Sequence, residues 1–135
     1  MARARSETAK AFIHKDGYGL LQLRDSTPEI WYPSMWGLFG GGLEGEESAV
    51  NGLKRELYEE LTFDTCKPHF LFSWPDDTDY SLLHFFSVKL EIGLDELRLN
   101  EGQEMALVPF GEMGALELTP DLRVNLDRMI SMISA

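Results

Sequence analysis

The stretch that most constrains this chain runs from Gly41 to Phe63 and reads GGLEGEESAVNGLKRELYEELTF. At about 100° per residue, Arg55, Glu56, Glu59 and Glu60 fall within one helical arc of roughly 140°. Val50, Leu53, Leu57 and Leu61 occupy a second arc of about 80°. A segment divided in this way is a helix with a charged face and a narrow apolar stripe, and the stripe needs a sheet or another helix to lie on. The glycines at positions 40, 41 and 42 lead into it.

The charged face is unusual for a helix shaped by stability alone. Glu56 and Glu60 stand at i, i+4 with Glu59 between them, and such like-charge neighbours repel by a few tenths of a kcal/mol per pair. With an ordinary pKa of about 4.3 these carboxylates are ionised in water at neutral pH, and they present a dense set of hard oxygen ligands. Mg²⁺ or Mn²⁺ is the natural counter-charge. The plain alternative is a solvated helix face, since glutamate is a good helix former.

The upstream spacing separates these readings. Glu47 lies eight residues before Arg55 and Gly41 six before that, so the stretch fits G-x5-E-x7-R-E-L-x-E-E-x-x-F. This pattern resembles the signature of the Nudix hydrolases, pyrophosphohydrolases that act on a nucleoside diphosphate linked to another group. The resemblance implies an α/β fold, an α/β/α sandwich with a mixed central sheet, formed as one domain over residues 1–135. It implies that Glu56, Glu59 and Glu60, with the main-chain carbonyl of Gly41, hold Mg²⁺ (or Mn²⁺). It also implies that Arg55 pairs with Glu47, which thereby orients the cluster, and that a glutamate in a later loop takes the proton from the attacking water. Glu104, just before an apolar run, fits that place better than Glu101. A nucleotide-binding sensor with the same fold and little hydrolysis is the alternative, although none of the paired glutamates is replaced.

Two positions in the signature stand out. Thr62 occupies a place where the family pattern has glycine to end the helix in a left-handed conformation. A β-branched residue takes that conformation poorly, so the expected exit is shifted, with Asp64 taking the turn. Gly52 sits inside the helix, where glycine costs about 1 kcal/mol relative to alanine. Close approach of another backbone or of the substrate is one reading of it and simple tolerance is the preferred one.

Composition bounds the rest. A chain of 135 residues with 44% hydrophobic residues suits one packed domain. A formal net charge of -11 argues against a non-specific grip on nucleic acid or on an anionic membrane. The single cysteine, Cys66, leaves no internal disulfide and favours a reducing, cytoplasmic setting. No stretch approaches the roughly 20 apolar residues of a membrane span. The expected partner is a small nucleotide substrate, and a homodimer is compatible with this reading.

Taken in order, residues 9–14 and 20–24 read as a hairpin turned at Asp16-Gly17, and residues 36–39 as a short strand that delivers the glycine run. The loop before it carries Trp31 and Tyr32, whose aromatic faces could stack on a base, and Trp36, better suited to packing. Arg24 is placed to reach a phosphate. After the helix, residues 69–74 and 80–90 read as strands, each with one histidine (His69, His84) of the kind usually held by hydrogen bonds. Residues 91–100 form a connector and residues 101–110 a loop running into a strand. Thr119-Pro120-Asp121 opens a last helix with an apolar stripe at Leu122, Leu126, Met129, Ile130 and Ile133.

Overall fold

Ala9, Ala11 and Ile13 alternate with Phe12 along the first strand, and all four have no exposed surface. A strand buried on both faces sits in the middle of a sheet covered on both sides. The structure, a computed structural model, describes residues 5–30, 32–64, 66–78 and 80–134. In it β1 (Ser6–Lys15) is the central strand. It pairs antiparallel with β2 (Tyr18–Leu23) near its end, antiparallel with β4 (Phe39–Gly42) near its start, and parallel with β6 (Ser81–Lys89) along its other edge. The sheet is therefore mixed.

The β1–β2 turn uses Asp16 and Gly17 at φ 50° and 83°, the positive-φ pair that suits the twist of a tight hairpin. β2 also pairs with β3 (Trp36–Gly37) and with β7 (Glu104–Pro109), while β5 (His69–Asp76) lies antiparallel outside β6. The single strand expected at residues 36–39 is in fact two. At Leu38 the chain leaves β2 and crosses to β1, so β3 and β4 serve different partners.

Strand parity divides the core into two layers. Ala9, Ala11, Ile13, Phe86 and Val88 face α1 (Ala49–Leu61) and meet its Leu53, Leu57 and Leu61. Phe12, Leu21, Phe72 and Phe85 face α2 (Pro120–Ser134) and meet Leu122, Leu126 and Met129. The architecture is an α/β/α sandwich, one helix on each face. Short 3-10 turns at Leu94–Glu96 and Phe110–Ala115 flank β7. No helix among the described residues is long and apolar enough to cross a membrane.

Both ends of α1 are fixed by hydrogen bonds. Ser48 caps its start, its hydroxyl accepting from the Asn51 N–H at 3.2 Å. At the other end Thr62 itself adopts the left-handed conformation, φ 54° and ψ 34°, so the expected shift of the turn to Asp64 does not occur. The Thr62 N–H donates to Tyr58 O and the Phe63 N–H to Leu57 O, the paired bonds of a glycine-type ending. Asn100 offsets the missing glycine: its side-chain amide donates to Thr62 Oγ1 at 3.0 Å and to Glu59 O at 3.1 Å. Gly52 is likewise not simply tolerated. A Cβ there would stand 2.4 Å from Leu43 Cδ2 and 2.9 Å from Glu47 Oε1, so the helix surface is hollowed for these two side chains.

Candidate active site

Arg55 is the hub of the charged face. Its Nη2 donates to Glu47 Oε1 at 2.7 Å and its Nε to Glu47 Oε2 at 3.2 Å, a two-pronged pair that pulls the Glu47 carboxylate below its ordinary pKa. The same guanidinium donates to Gly42 O at 3.0 Å, to Glu56 Oε1 at 2.9 Å and to Glu59 Oε2 at 3.3 Å. One rigid fork thus ties the glycine turn to three carboxylates. Held by so many anionic acceptors, with Glu47 the largest contributor, Arg55 is raised above its ordinary pKa and stays charged.

Glu56 and Glu60 point from α1 toward the glycine turn. A Cβ on Gly41 would fall 2.5 Å from the Glu56 carboxyl carbon, so a side chain there would displace that carboxylate from its place beside Arg55. The Gly40 N–H donates to Glu60 Oε1 at 2.8 Å. Gly40 is at φ 138° and a Cβ there would meet Ala9 O at 2.1 Å, so the turn that aims this N–H also needs glycine. Burial raises the Glu56 carboxyl, partly opposed by Arg55. Glu60 is only 4% exposed, and burial pushes it to about 8 against the pull of Lys10 and of the Gly40 N–H. Glu101 also raises it, carboxyl facing carboxyl. Glu59 is more open, with 56% of its side chain exposed.

Glu56, Glu60 and the glycine turn line a cavity of about 350 Å³, whereas Glu47, Arg55 and Glu59 are not on its lining. Gly40, Gly41, Gly42, Glu56, Glu60 and Glu101 form one wall, and Lys10, Arg24 and Tyr32 are also on its lining. Of the residues expected to touch substrate, Arg24 and Tyr32 are therefore at the cavity, and Trp31 lies outside the described residues. Glu104 is not on the lining. It opens β7 opposite Leu23, one residue out of phase with Met105 and Gln22, and so faces away from the side on which Gln22 enters the cavity. Glu101 reaches the cavity instead, because its loop folds over Gln22, whose side-chain amide donates to Glu101 O at 3.0 Å. The preference for Glu104 rested on distance from an apolar run, which carries no information about a loop's path.

Neither strand histidine lines the cavity. His69 is exposed, and His84 is held between Ser73 Oγ (2.6 Å) and Glu7 Oε1 (2.7 Å). Lys10 was not singled out in the sequence, although the alternation of β1 puts it on the face opposite Ala9 and Ala11 at the register of Gly40.

Among the described residues no three carboxylate, imidazole or thiol groups converge on one point as they stand, because Arg55 spans Glu56 and Glu59. The donor set nonetheless suits a hard divalent cation. Glu60, Glu56 and Glu101 are acceptor groups crowded on one wall, two of them raised by burial, and such crowding favours any cation that offsets it.

A family model for the NUDIX domain matches residues 5–129 of the chain. The chain belongs to the Nudix family. It is a hydrolase of the kind that acts on phosphoric anhydrides, generally in nucleotide derivatives, and such hydrolases generally use divalent metal ions. Solved structures agree on the fold. The ORF135 protein of E. coli superposes with a TM-score of 0.76 at 24% identity, covering 97% of this chain and 92% of that one. A MutT NUDIX hydrolase from Burkholderia pseudomallei gives 0.79 at 22% identity, with 93% and 98% covered. The NUDIX domain of Shewanella oneidensis NrtR, solved with ADP ribose, gives 0.78 at 17% identity, with 98% and 90% covered. No curated protein is significantly similar in sequence. In this Nudix chain the signature residues are those that meet at the Arg55 fork and the glycine turn.

Proposed function

We propose that the chain is a metal-dependent pyrophosphohydrolase that cleaves the diphosphate linkage of a nucleoside diphosphate derivative, a modified nucleoside triphosphate or a nucleotide sugar. The observation that carries this reading is the wall of Glu56, Glu60 and Glu101 against the glycine turn, inside a cavity that also presents Lys10 and Arg24. A diphosphate is anionic, so a catalyst has to offset its charge and hold a water in line with phosphorus.

Glu56, Glu59, Glu60 and the Gly41 carbonyl would hold Mg²⁺ or Mn²⁺, which when bound supplies charge neutralisation and a more acidic water. Arg55, through its bonds to Glu47 and Gly42 O, positions Glu56 and the turn. Glu47 is the orienting partner of Arg55, with no contact to the reacting atoms. Glu101 is the proposed proton acceptor in place of Glu104, since it stands on the same wall as Glu60. Lys10 and Arg24 bring positive charge to the substrate's phosphates, and Tyr32 offers an aromatic face.

The test is a panel of nucleoside triphosphates, nucleotide sugars and dinucleotides assayed with Mg²⁺ and with Mn²⁺, with products identified. The reading expects a nucleotide and the phosphorylated remainder as products, and Glu60→Gln slower by at least about 100-fold, as for loss of a metal ligand. No turnover with any metal would overturn it. The NrtR domain in complex with ADP ribose favours one second reading, a nucleotide sensor. Tight ligand binding without product in the same panel would select that reading.

A further inference from the structure

In β2 the run Leu20-Leu21-Gln22 is buried throughout, and Gln22 keeps only 4% of its surface exposed. An amide in such a place costs stability unless it is hydrogen-bonded, and a methionine of the same length would fill the space without that cost. The partner that satisfies it is distant in sequence: Gln22 Nε2 donates to Glu101 O at 3.0 Å. The fit against the next residue is close. Gly102 stands at φ 93°, and a Cβ on it would come within 2.9 Å of both Gln22 Cγ and Gln22 Nε2. Gln103 completes the seam, its N–H donating to Leu23 O at 2.8 Å and its side-chain amide to Arg24 O at 2.8 Å. Residues 101–103 are thus pinned along the end of β2.

The residues just before them are pinned to α1. A helix leaves its last carbonyls without partners of its own. Here the Arg98 N–H donates to Leu61 O at 2.9 Å, the Asn100 N–H to Glu60 O at 2.8 Å, and the Asn100 side chain to Glu59 O at 3.1 Å. Glu101 lies between the two sets of bonds, in no helix or strand, with its carboxylate facing Glu60. Its place is therefore set by what grips the chain on either side of it. Gln22 is the side chain that grips the peptide of Glu101 itself.

We propose that Gln22 is a positioning residue, which holds the Glu101 peptide so that the carboxylate keeps its place against Glu60, and which acts on the attack of water only through Glu101. The assignment rests on the reading that Glu101 takes the proton from water. Gln22 also lines the cavity, so direct contact with substrate is the rival explanation, and the test has to separate the two.

Gln22→Met keeps the length of the side chain and removes the donor. Steady-state kinetics are measured for the wild type, Gln22→Met, Glu101→Gln and the double variant on the substrate that the panel yields. Amide exchange of the Gln103 N–H is followed by NMR in the metal-free protein. Positioning predicts that Gln22→Met lowers kcat by about tenfold or more with KM within about twofold, since a displaced group costs rate and not binding. In the Glu101→Gln background the same change costs less than about twofold, because both substitutions act through one carboxylate. Exchange of the Gln103 N–H quickens by about tenfold as the loop loosens. A raised KM at unchanged kcat assigns Gln22 to the substrate and overturns the proposal, as do losses that multiply in the double variant or exchange that stays at the wild-type rate. Should Gln22→Met fail to fold, Gly102→Ala crowds the same amide from the loop side and is read in the same way. Wild-type kcat in Glu101→Gln removes the positioning role and leaves the hydrolase. Faster exchange in Gln22→Met without turnover of any substrate removes the hydrolase and leaves Gln22 as the anchor of the loop.

Discussion

Two tendencies oppose each other at Glu60. Burial favours its neutral form, while a place among metal ligands requires its charge, and the Gly40 N–H and Lys10 only partly compensate. Glu101, which faces it, shares the same crowded wall. If Glu101 accepts the proton from water, Glu101→Gln lowers kcat by about 100-fold or more with little change in KM, whereas Glu104→Gln stays within about twofold of wild type. Steady-state kinetics on whichever substrate the panel yields checks both. Equal losses at the two positions would remove Glu101 from its role. The contact between Arg55 and Glu47 was expected from the resemblance of the signature, and it forms because Glu47 lies just before the helix start and folds back onto α1. The choice between Glu101 and Glu104 was not legible, because a loop has no period to read.

The elements were legible wherever periodicity or turn chemistry fixes them. The hairpin turned at Asp16-Gly17, the Leu53–Leu57–Leu61 stripe and the Pro120 start of α2 each correspond to what the structure shows. The split of residues 36–39 between two partners was hidden, because a crossing at one residue leaves no mark in composition. The exit of α1 was misread for a definite reason: the partner that steadies Thr62 lies 38 residues along the chain, at Asn100. Asn100→Ala removes two hydrogen bonds at an exposed helix end and is expected to lower stability by roughly 1 kcal/mol. Thr62→Gly loses one of these bonds and relieves a left-handed β-branched residue, two effects of about 1 kcal/mol each that nearly cancel. Urea melts of the single and double variants check this, and the Asn100→Ala effect should shrink in the Thr62→Gly background. Independent, additive effects would contradict the coupling.

At the scale of the whole molecule, a net charge of -11 and a wall of crowded carboxylates make cations and protons its natural ligands. Glu60, faced by Lys10, Glu101 and the Gly40 N–H, has a folded pKa of about 8, whereas an unfolded glutamate titrates near about 4.3. The folded state therefore binds the extra proton, so this contribution is fully present below about pH 4 and is lost as pH rises through about 8. Thermal melts in a chelator should show stability declining from pH 5 to pH 8 more steeply in the wild type than in Glu60→Gln, and Mn²⁺ should raise the melting temperature more at pH 8 than at pH 6. The most direct test of the account is Mn²⁺ titration at pH 7 by calorimetry in buffers of different ionisation heat. If the Glu60 carboxyl gives up its proton to become a ligand, binding releases about one proton per protein, since its pKa is about 8, and Glu60→Gln both weakens binding and abolishes the release. Binding without proton release, or release unchanged in Glu60→Gln, would contradict it.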